Sequence, residues 1–239
     1  MPAVRGKFSI NIDRLFRYHL IGVFFLVSID ALCVAAFELH GFGFVKGLMP
    51  LFDLNGERNL PSLFSAGALF LVAGACALCA KAAPREVRNF WKVTTLVFLF
   101  LAIDEAAAIH EKIDVLNREY VHLDGTLKRA WIIPYGIGAF VFAVLTFPLL
   151  ARLPANTRHG LVVAGGLFVT GALGFEILER IAVEHAGIWI SKGLTTSLCV
   201  LCEEFLEMFA IALALRTCLL HFLGPARILN LSAAAGAAS

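Results

Sequence analysis

The chain has 239 residues, 59 % of them hydrophobic and 16 % charged, with a mean hydropathy of +0.82 and a formal net charge of +2. Soluble domains run at about 45–50 % apolar and about 25 % charged, so this composition excludes an ordinary soluble fold and favours a membrane-compatible surface. The small charge leaves no footprint for a nucleic acid, because the basic residues flank apolar segments instead of gathering in a patch.

The apolar windows predict an all-α, polytopic membrane bundle of six transmembrane helices, at approximately 18–39, 62–82, 91–111, 131–152, 159–183 and 194–221. Most reach the roughly 20 residues that a hydrocarbon crossing requires. They form one membrane domain, 18–221, between an N-terminal segment, 1–17, and a C-terminal tail, 222–239. Arg5, Lys7, Arg14 and Arg17 precede the first span, and no small-residue cleavage site follows it, so it reads as a retained helix. The long unbroken apolar runs lack the alternation of a β-barrel.

Between the first two spans, GFGFVKGLMPLFDLNGERNLPSLFS carries a turn at Asn55-Gly56 and Pro61 in the first turn of the next helix. Asp53 and Glu57 in this segment are candidates for a lid, although the turn is the simpler reading. Lys81, Arg85, Arg88, Lys92, Arg152, Arg158, Arg216 and Arg227 fall on the N-terminal side. Lys46, Arg58, Lys112, Arg118, Lys128, Arg129, Arg180 and Lys192 fall opposite, several among acids. The bias predicts N-in, C-in topology against the pull of the basic 112–129 loop. Gly165, Gly166, Gly171 and Gly174 make the fifth span narrow enough for close helix approach. Trp91, Trp131 and Trp189 read as interfacial anchors, and LNLSAAAGAAS as a frayed end.

Acids sit inside the most apolar stretches. Asp104 and Glu105 end TTLVFLFLAIDE, Glu176 and Glu179 lie in LFVTGALGFEILE, and Glu203, Glu204 and Glu207 lie in LCVLCEEFLEMFAIALAL. A carboxylate in hydrocarbon is expensive unless paired, protonated, hydrated or metal-bound, so a functional interior is expected. With N-in topology all three clusters, together with His110 and Glu111, fall in the outward half of the membrane. Asp30 sits near its middle, and Glu38 and His40 approach its outer edge. One outward-opening polar chamber explains them together. Pairs three or four apart, Glu176/Glu179, Glu204/Glu207 and Glu203/Glu207, share helix faces. Glu105 and His110 do not align on an ideal helix, so His110 needs a bulge or helix end to turn inward. Adjacent Glu203 and Glu204 cannot both address one centre without an extended network.

Such carboxylates with a histidine suit iron, manganese or zinc, with Asp104, Glu105, His110, Glu176, Glu179, Glu204 and Glu207 as ligands and Glu203 as an alternate. A dinuclear centre would be similar in logic to ferritin-like di-metal bundles. The usual Glu-x-x-His repeats are absent, replaced by Glu176-x-x-Glu179 and Glu204-x-x-Glu207. This reading implies a metal-dependent oxidoreductase acting on a small molecule or lipid, or a hydrolase. A proton-coupled or cation transporter uses the same residue types, and a scaffold with a structural polar network is the third reading. Arg180, four residues after Glu176, favours the structural one.

Leu54-Asn55-Gly56-Glu57 with Asn59, Pro61, Phe64 and Ser65, followed by Asp104-Glu105 and His110-Glu111, resembles a group of uncharacterised bacterial multi-pass membrane proteins. The resemblance implies residence in a bacterial inner membrane, among lipids, and supplies no reaction. Cys76-x-x-Cys79 and Cys199-x-x-Cys202 permit metal or redox chemistry but read better as small packing residues; Cys33 and Cys218 have no evident pair. No phosphate loop, no Rossmann fingerprint and no assignable serine–histidine–acid order occurs.

Overall fold

A computed structural model of the chain describes residues 7–41, 47–121, 129–185, 192–224 and 228–232. Trp189, Lys46, Lys128, Arg5 and Arg227, given roles above, lie outside the described residues.

The chain runs β1 (Lys7–Asn11), α1 (Ile12–His40), α2 (Leu48–Phe52), α3 (Leu60–Ala82), α4 (Arg85–Ala107) and α5 (Ile109–Leu116). After a π-helical turn at Asn117–Val121 come α6 (Ile132–Leu150) and α7 (Ala155–Val169). A second π-helical segment, Thr170–Phe175, leads into α8 (Glu176–His185), then α9 (Lys192–Leu223) and β2 (Ile228–Ser232). Local chemistry sets several ends. The Asn11 side chain accepts from the Arg14 amide to start α1, and Gly41 ends it with φ +70°. Asn59 caps α3 in the same way, with Pro61 in its first turn.

Four described helical segments are long and apolar enough to cross a membrane: Ile12–His40, Leu60–Ala82, Ile132–Leu150 and Ala155–Ala182. The pair α4 and α5, bent by 66°, makes a fifth if counted as one span. The fold is therefore an all-α membrane-type bundle with four or five such segments, and the expectation of six is narrowed. The sixth expected span coincides with α9, whose middle carries Glu203, Glu204 and Glu207.

α9 is the central element, packed against α1, α3, α7 and α8. α3 and α4 form the tightest hairpin. Buried Ala68, Ala73, Ala75, Cys76, Cys79 and Ala80 let the α3 backbone approach its neighbours closely. One hydrophobic core joins α3, α4, α7 and the last third of α9; a smaller one joins Val23, Leu26, Leu54, Val200 and Met208. Outward, Phe24, Phe25, Leu32, Phe140, Leu145 and Phe147 are exposed. Apolar surface on this scale belongs in contact with lipid.

Part of the tail expected to fray is a strand: β2 pairs antiparallel with β1, Lys7 opposite Ser232 and Asn11 opposite Ile228, while residues 233–239 lie outside the described residues. Cys218 has a neighbour after all, its Sγ 3.6 Å from that of Cys76. Trp91 is not an interfacial anchor but fully buried, its ring 4.9 Å from that of His221. The four glycines of the fifth span also divide. Cβ atoms at Gly165 and Gly166 would meet nothing within 4 Å, whereas at Gly171 one would lie 2.9 Å from Glu207 Cγ and 3.0 Å from the Glu203 carbonyl oxygen.

Candidate carboxylate site

The third expected span breaks where the site begins. Ala108 adopts φ +51°, ending α4 and swinging α5 away. The break leaves the first amides of α5 without helical partners. Asp104 serves one of them: the His110 amide donates to its Oδ1 at 2.9 Å. The same break brings the His110 ring inward, with Nδ1 3.3 Å from Asp104 Oδ2 and Nε2 3.3 Å from Glu57 Oε1. One imidazole thus bridges two carboxylates.

Glu57 arrives on the segment between α2 and α3, whose turn is heavily tied. The Asn55 amide donates to Asp53 Oδ1 at 3.0 Å, and Asn59 Nδ2 donates to the Asp53 carbonyl at 2.6 Å. The Leu54 amide donates to buried Asp30 at 3.2 Å, fastening the turn to α1. Arg58, next to Glu57, has φ +61°, a conformation that costs a non-glycine residue about 1–3 kcal/mol and survives only where its surroundings impose it. The turn reading is right for Asn55-Gly56, and the same turn delivers Glu57 to His110.

A second group lies beside the first. Arg129 Nε is 3.0 Å from Glu176 Oε1, and its Nη1 is 3.5 Å from Asp114 Oδ2. Arg180 Nε lies 3.6 Å from the same Glu176 oxygen, and Thr196 Oγ1 donates to Glu179 at 3.0 Å. The Trp131 amide donates to Asp114 at 3.3 Å. Burial opposes the Arg129 charge, but Glu176, Asp114, Glu179 and Glu111 outweigh it and hold the guanidinium above its ordinary range. The expected Arg180–Glu176 pairing is present. Arg129 and Asp114 were not among the expected site residues, because 15 positions of chain separate them.

α9 closes the site. The π-helical segment and Gly171 let the backbone before α8 press on α9 between Glu203 and Glu207. Wide turns of this kind recur at functional sites. Adjacent Glu203 and Glu204 divide their attention: Glu203 is within electrostatic reach of Glu176, Glu179 and Arg129, and Glu204 of Glu105, Glu57 and His110. Glu207 reaches Glu204, Glu203 and Glu105. Glu105 in turn reaches Glu57, His110 and Asp104. All eight expected site residues therefore join one extended network, with Glu57, Asp114, Arg129 and Arg180 added. Trp131 and Tyr135 wall it, with Trp131 5.4 Å from both the His110 ring and the Tyr135 ring. The Tyr135 hydroxyl is buried and finds no well-aligned hydrogen-bond partner.

The expected iron, manganese or zinc centre is overturned. Among the described residues, no group of three or more His, Cys, Asp and Glu side chains is disposed to hold a metal ion. Both His110 nitrogens face carboxylates, and Glu176 and Glu179 are engaged by Arg129, Arg180 and Thr196. Ligands so engaged do not converge on one ion. The reading as a metal-dependent oxidoreductase loses the ligand set on which it rested.

A family described as a domain of unknown function (DUF8692) matches residues 20–222. The chain belongs to this family. The match takes in α1 to α9 almost entire, so the whole carboxylate network lies within the DUF8692 domain. No curated protein and no solved structure matches the chain.

Proposed function

We propose that this DUF8692 protein is a proton-coupled membrane transporter, taking protons from one aqueous face into its buried carboxylates. The observation that carries the reading is the Glu57–His110–Asp104 bridge, a histidine with a carboxylate at each ring nitrogen. An imidazole accepts a proton on one nitrogen while releasing one from the other, and so relays it. Beyond it stand Glu105, Glu203, Glu204 and Glu207, each within electrostatic reach of others in the set. Carboxylates outnumber basic groups in the network, and protons are the carriers that balance such a set in a low-dielectric interior. The broken α4–α5 helix and the π-helical segment flank these acids, as discontinuous helices flank ion sites in transporters.

In this reading residues 18–221 form six spans, with α9 as the sixth and both termini on the inner face of a bacterial membrane. The pairing of β1 with β2 supports it, since termini that hydrogen-bond share a side and an even number of crossings is then required. The paired group around Arg129 is the structural part of the network.

The test is charge displacement on a supported membrane bearing reconstituted protein, after a pH step on the relay side. Wild type gives a transient that His110→Gln abolishes while remaining folded. A folded wild type that is electrically silent, or an undiminished His110→Gln response, refutes the relay.

A further inference from the structure

The end of the bundle that holds the paired termini carries a basic surface with no part in the carboxylate network. We propose that this surface, around the starts of α4 and α7, binds the headgroups of anionic phospholipids in the adjoining leaflet. Such binding is independent of proton transfer.

Contacts within the fold gather the basic residues at one end. The Trp91 ring of α4 stacks on that of His221, near the end of α9, at 4.9 Å, and His221 Nδ1 lies 3.0 Å from Thr157 Oγ1 in the first turn of α7. Ile12, Ala83, Val87, Leu153 and Leu219 share one buried core, which sets the start of α1 at the same end. The stretches that meet there carry Lys81, Arg85, Arg88, Lys92, Arg152 and Arg158; Arg88 and Arg158 are half-buried and the other four exposed. Across residues 81–92 and 152–159 there is one acid, Glu86. Two of the guanidiniums are already positioned. Arg88 donates from Nε and Nη2 to the Ala83 carbonyl at 3.2 and 3.0 Å, and Arg158 donates from Nη1 to the Ala151 carbonyl at 3.0 Å. A neutral carbonyl fixes a guanidinium without cancelling its charge, and the planar fork keeps further donors for a phosphate.

Depth identifies the partner. On α4, exposed Val93 and Leu96 follow Lys92; on α7, exposed Val162 and Val163 follow His159; on α6, exposed Leu145 and Phe147 precede Arg152. At 1.5 Å of rise per residue, charge gives way to exposed apolar surface within about 8 Å on all three helices. That is the boundary of a bilayer, where acyl chains cover the apolar side and phosphates lie level with the basic one. A soluble anion or an acidic protein needs no such apolar continuation. Basic clusters of this size beside membrane-spanning helices attract anionic lipid, whereas a zwitterionic headgroup brings no net charge to meet them. The helix starts add to the field: Pro84 and Pro154 precede α4 and α7 without a side-chain cap, so the positive ends of both helix dipoles face the same layer.

The test is native mass spectrometry of delipidated full-length protein titrated with phosphatidylglycerol or with phosphatidylcholine of matched chains. Wild type prefers phosphatidylglycerol by more than about 25-fold. Lys92→Gln with Arg152→Gln, two exposed side chains, lowers phosphatidylglycerol affinity by about 5-fold for each charge removed and leaves phosphatidylcholine unchanged. Lys112→Gln, at an exposed lysine of α5 beside the carboxylate site, changes neither. Equal affinity of wild type for the two lipids overturns the proposal, and so does an undiminished response in the double variant. An equal loss in Lys112→Gln overturns it too, by marking a general effect of charge. Full competition by glycerol phosphate at the lipid's own concentration assigns the surface to a soluble anion instead. None of these outcomes touches the His110 relay, which charge displacement measures separately.

Discussion

Gly171→Ala isolates the contact that brings the fifth span onto α9. The new Cβ would stand 2.9 Å from Glu207 Cγ, 3.0 Å from the Glu203 carbonyl oxygen and 3.3 Å from Leu206 Cβ. Carbon atoms prefer about 3.5–4.0 Å, and a backbone carbonyl in the middle of a packed helix cannot rotate away. Overpacking of this sort costs about 1–3 kcal/mol, and two close contacts, one to backbone, place it near the top of that range. Replacing glycine by alanine returns at most about 1 kcal/mol of helix propensity. The net expectation is a loss of about 2 kcal/mol, or about 4–8 °C in melting temperature for a chain of this size. Gly166→Ala is the matched control: its Cβ meets nothing within 4 Å, so only the propensity gain of up to about 1 kcal/mol remains. Thermal unfolding of both variants in the same detergent decides the matter. If Gly171→Ala melts at or above Gly166→Ala, the close approach does not exist as described.

Arg129→Gln strips Glu176 and Asp114 of their shared cation. Removing one partner of a buried pair costs about 3–5 kcal/mol, and the partial exposure of Arg129 points to the lower end. The double variant Arg129→Gln with Glu176→Gln recovers part of that loss in the same assay; a double variant no better than the single removes the pairing argument. Maleimide labelling of folded protein leaves Cys76, Cys79 and Cys218, buried in the α3–α9 core, unmodified until denaturation. Early modification of Cys76 or Cys218 would show that the α3–α9 core is open.

Much of this architecture was legible in the chain, for definite reasons. Apolar runs long enough to cross a bilayer declare themselves, and acids embedded in them stand out against a background that rarely tolerates charge. Their spacing placed Glu176 with Glu179, and Arg180 with Glu176, because these are local relations within one helix. What escaped depended on the backbone leaving its ideal path. An alanine at φ +51° carries no sequence mark, so the break that turns His110 toward Asp104 was foreseen only as a need. Arg129 lies on a connecting segment, where reach is set by turn geometry instead of helical period; Glu57, legible only as a lid candidate, lies on another, and its partner His110 was not foreseen. The metal reading failed at the same level: residue types suited to ligation proved to be partnered with arginines and a histidine, a choice that composition leaves open.

The least enclosed helix has a consequence of its own. Only 6 % of the apolar window of α6 is buried within the protein, and its principal packing neighbour is α4. Its 19 residues span about 28 Å, close to the roughly 30 Å of a bilayer interior. Lipid therefore sets its depth and tilt more than protein does, and mismatch of a few ångströms is met by tilting. Directly ahead of this helix stand Arg129, which grips Asp114 and Glu176, and Trp131, which packs on His110. Bilayer thickness thus has a lever on the charged network, and the lipid chosen for reconstitution becomes a variable of the protein's chemistry as much as its solvent.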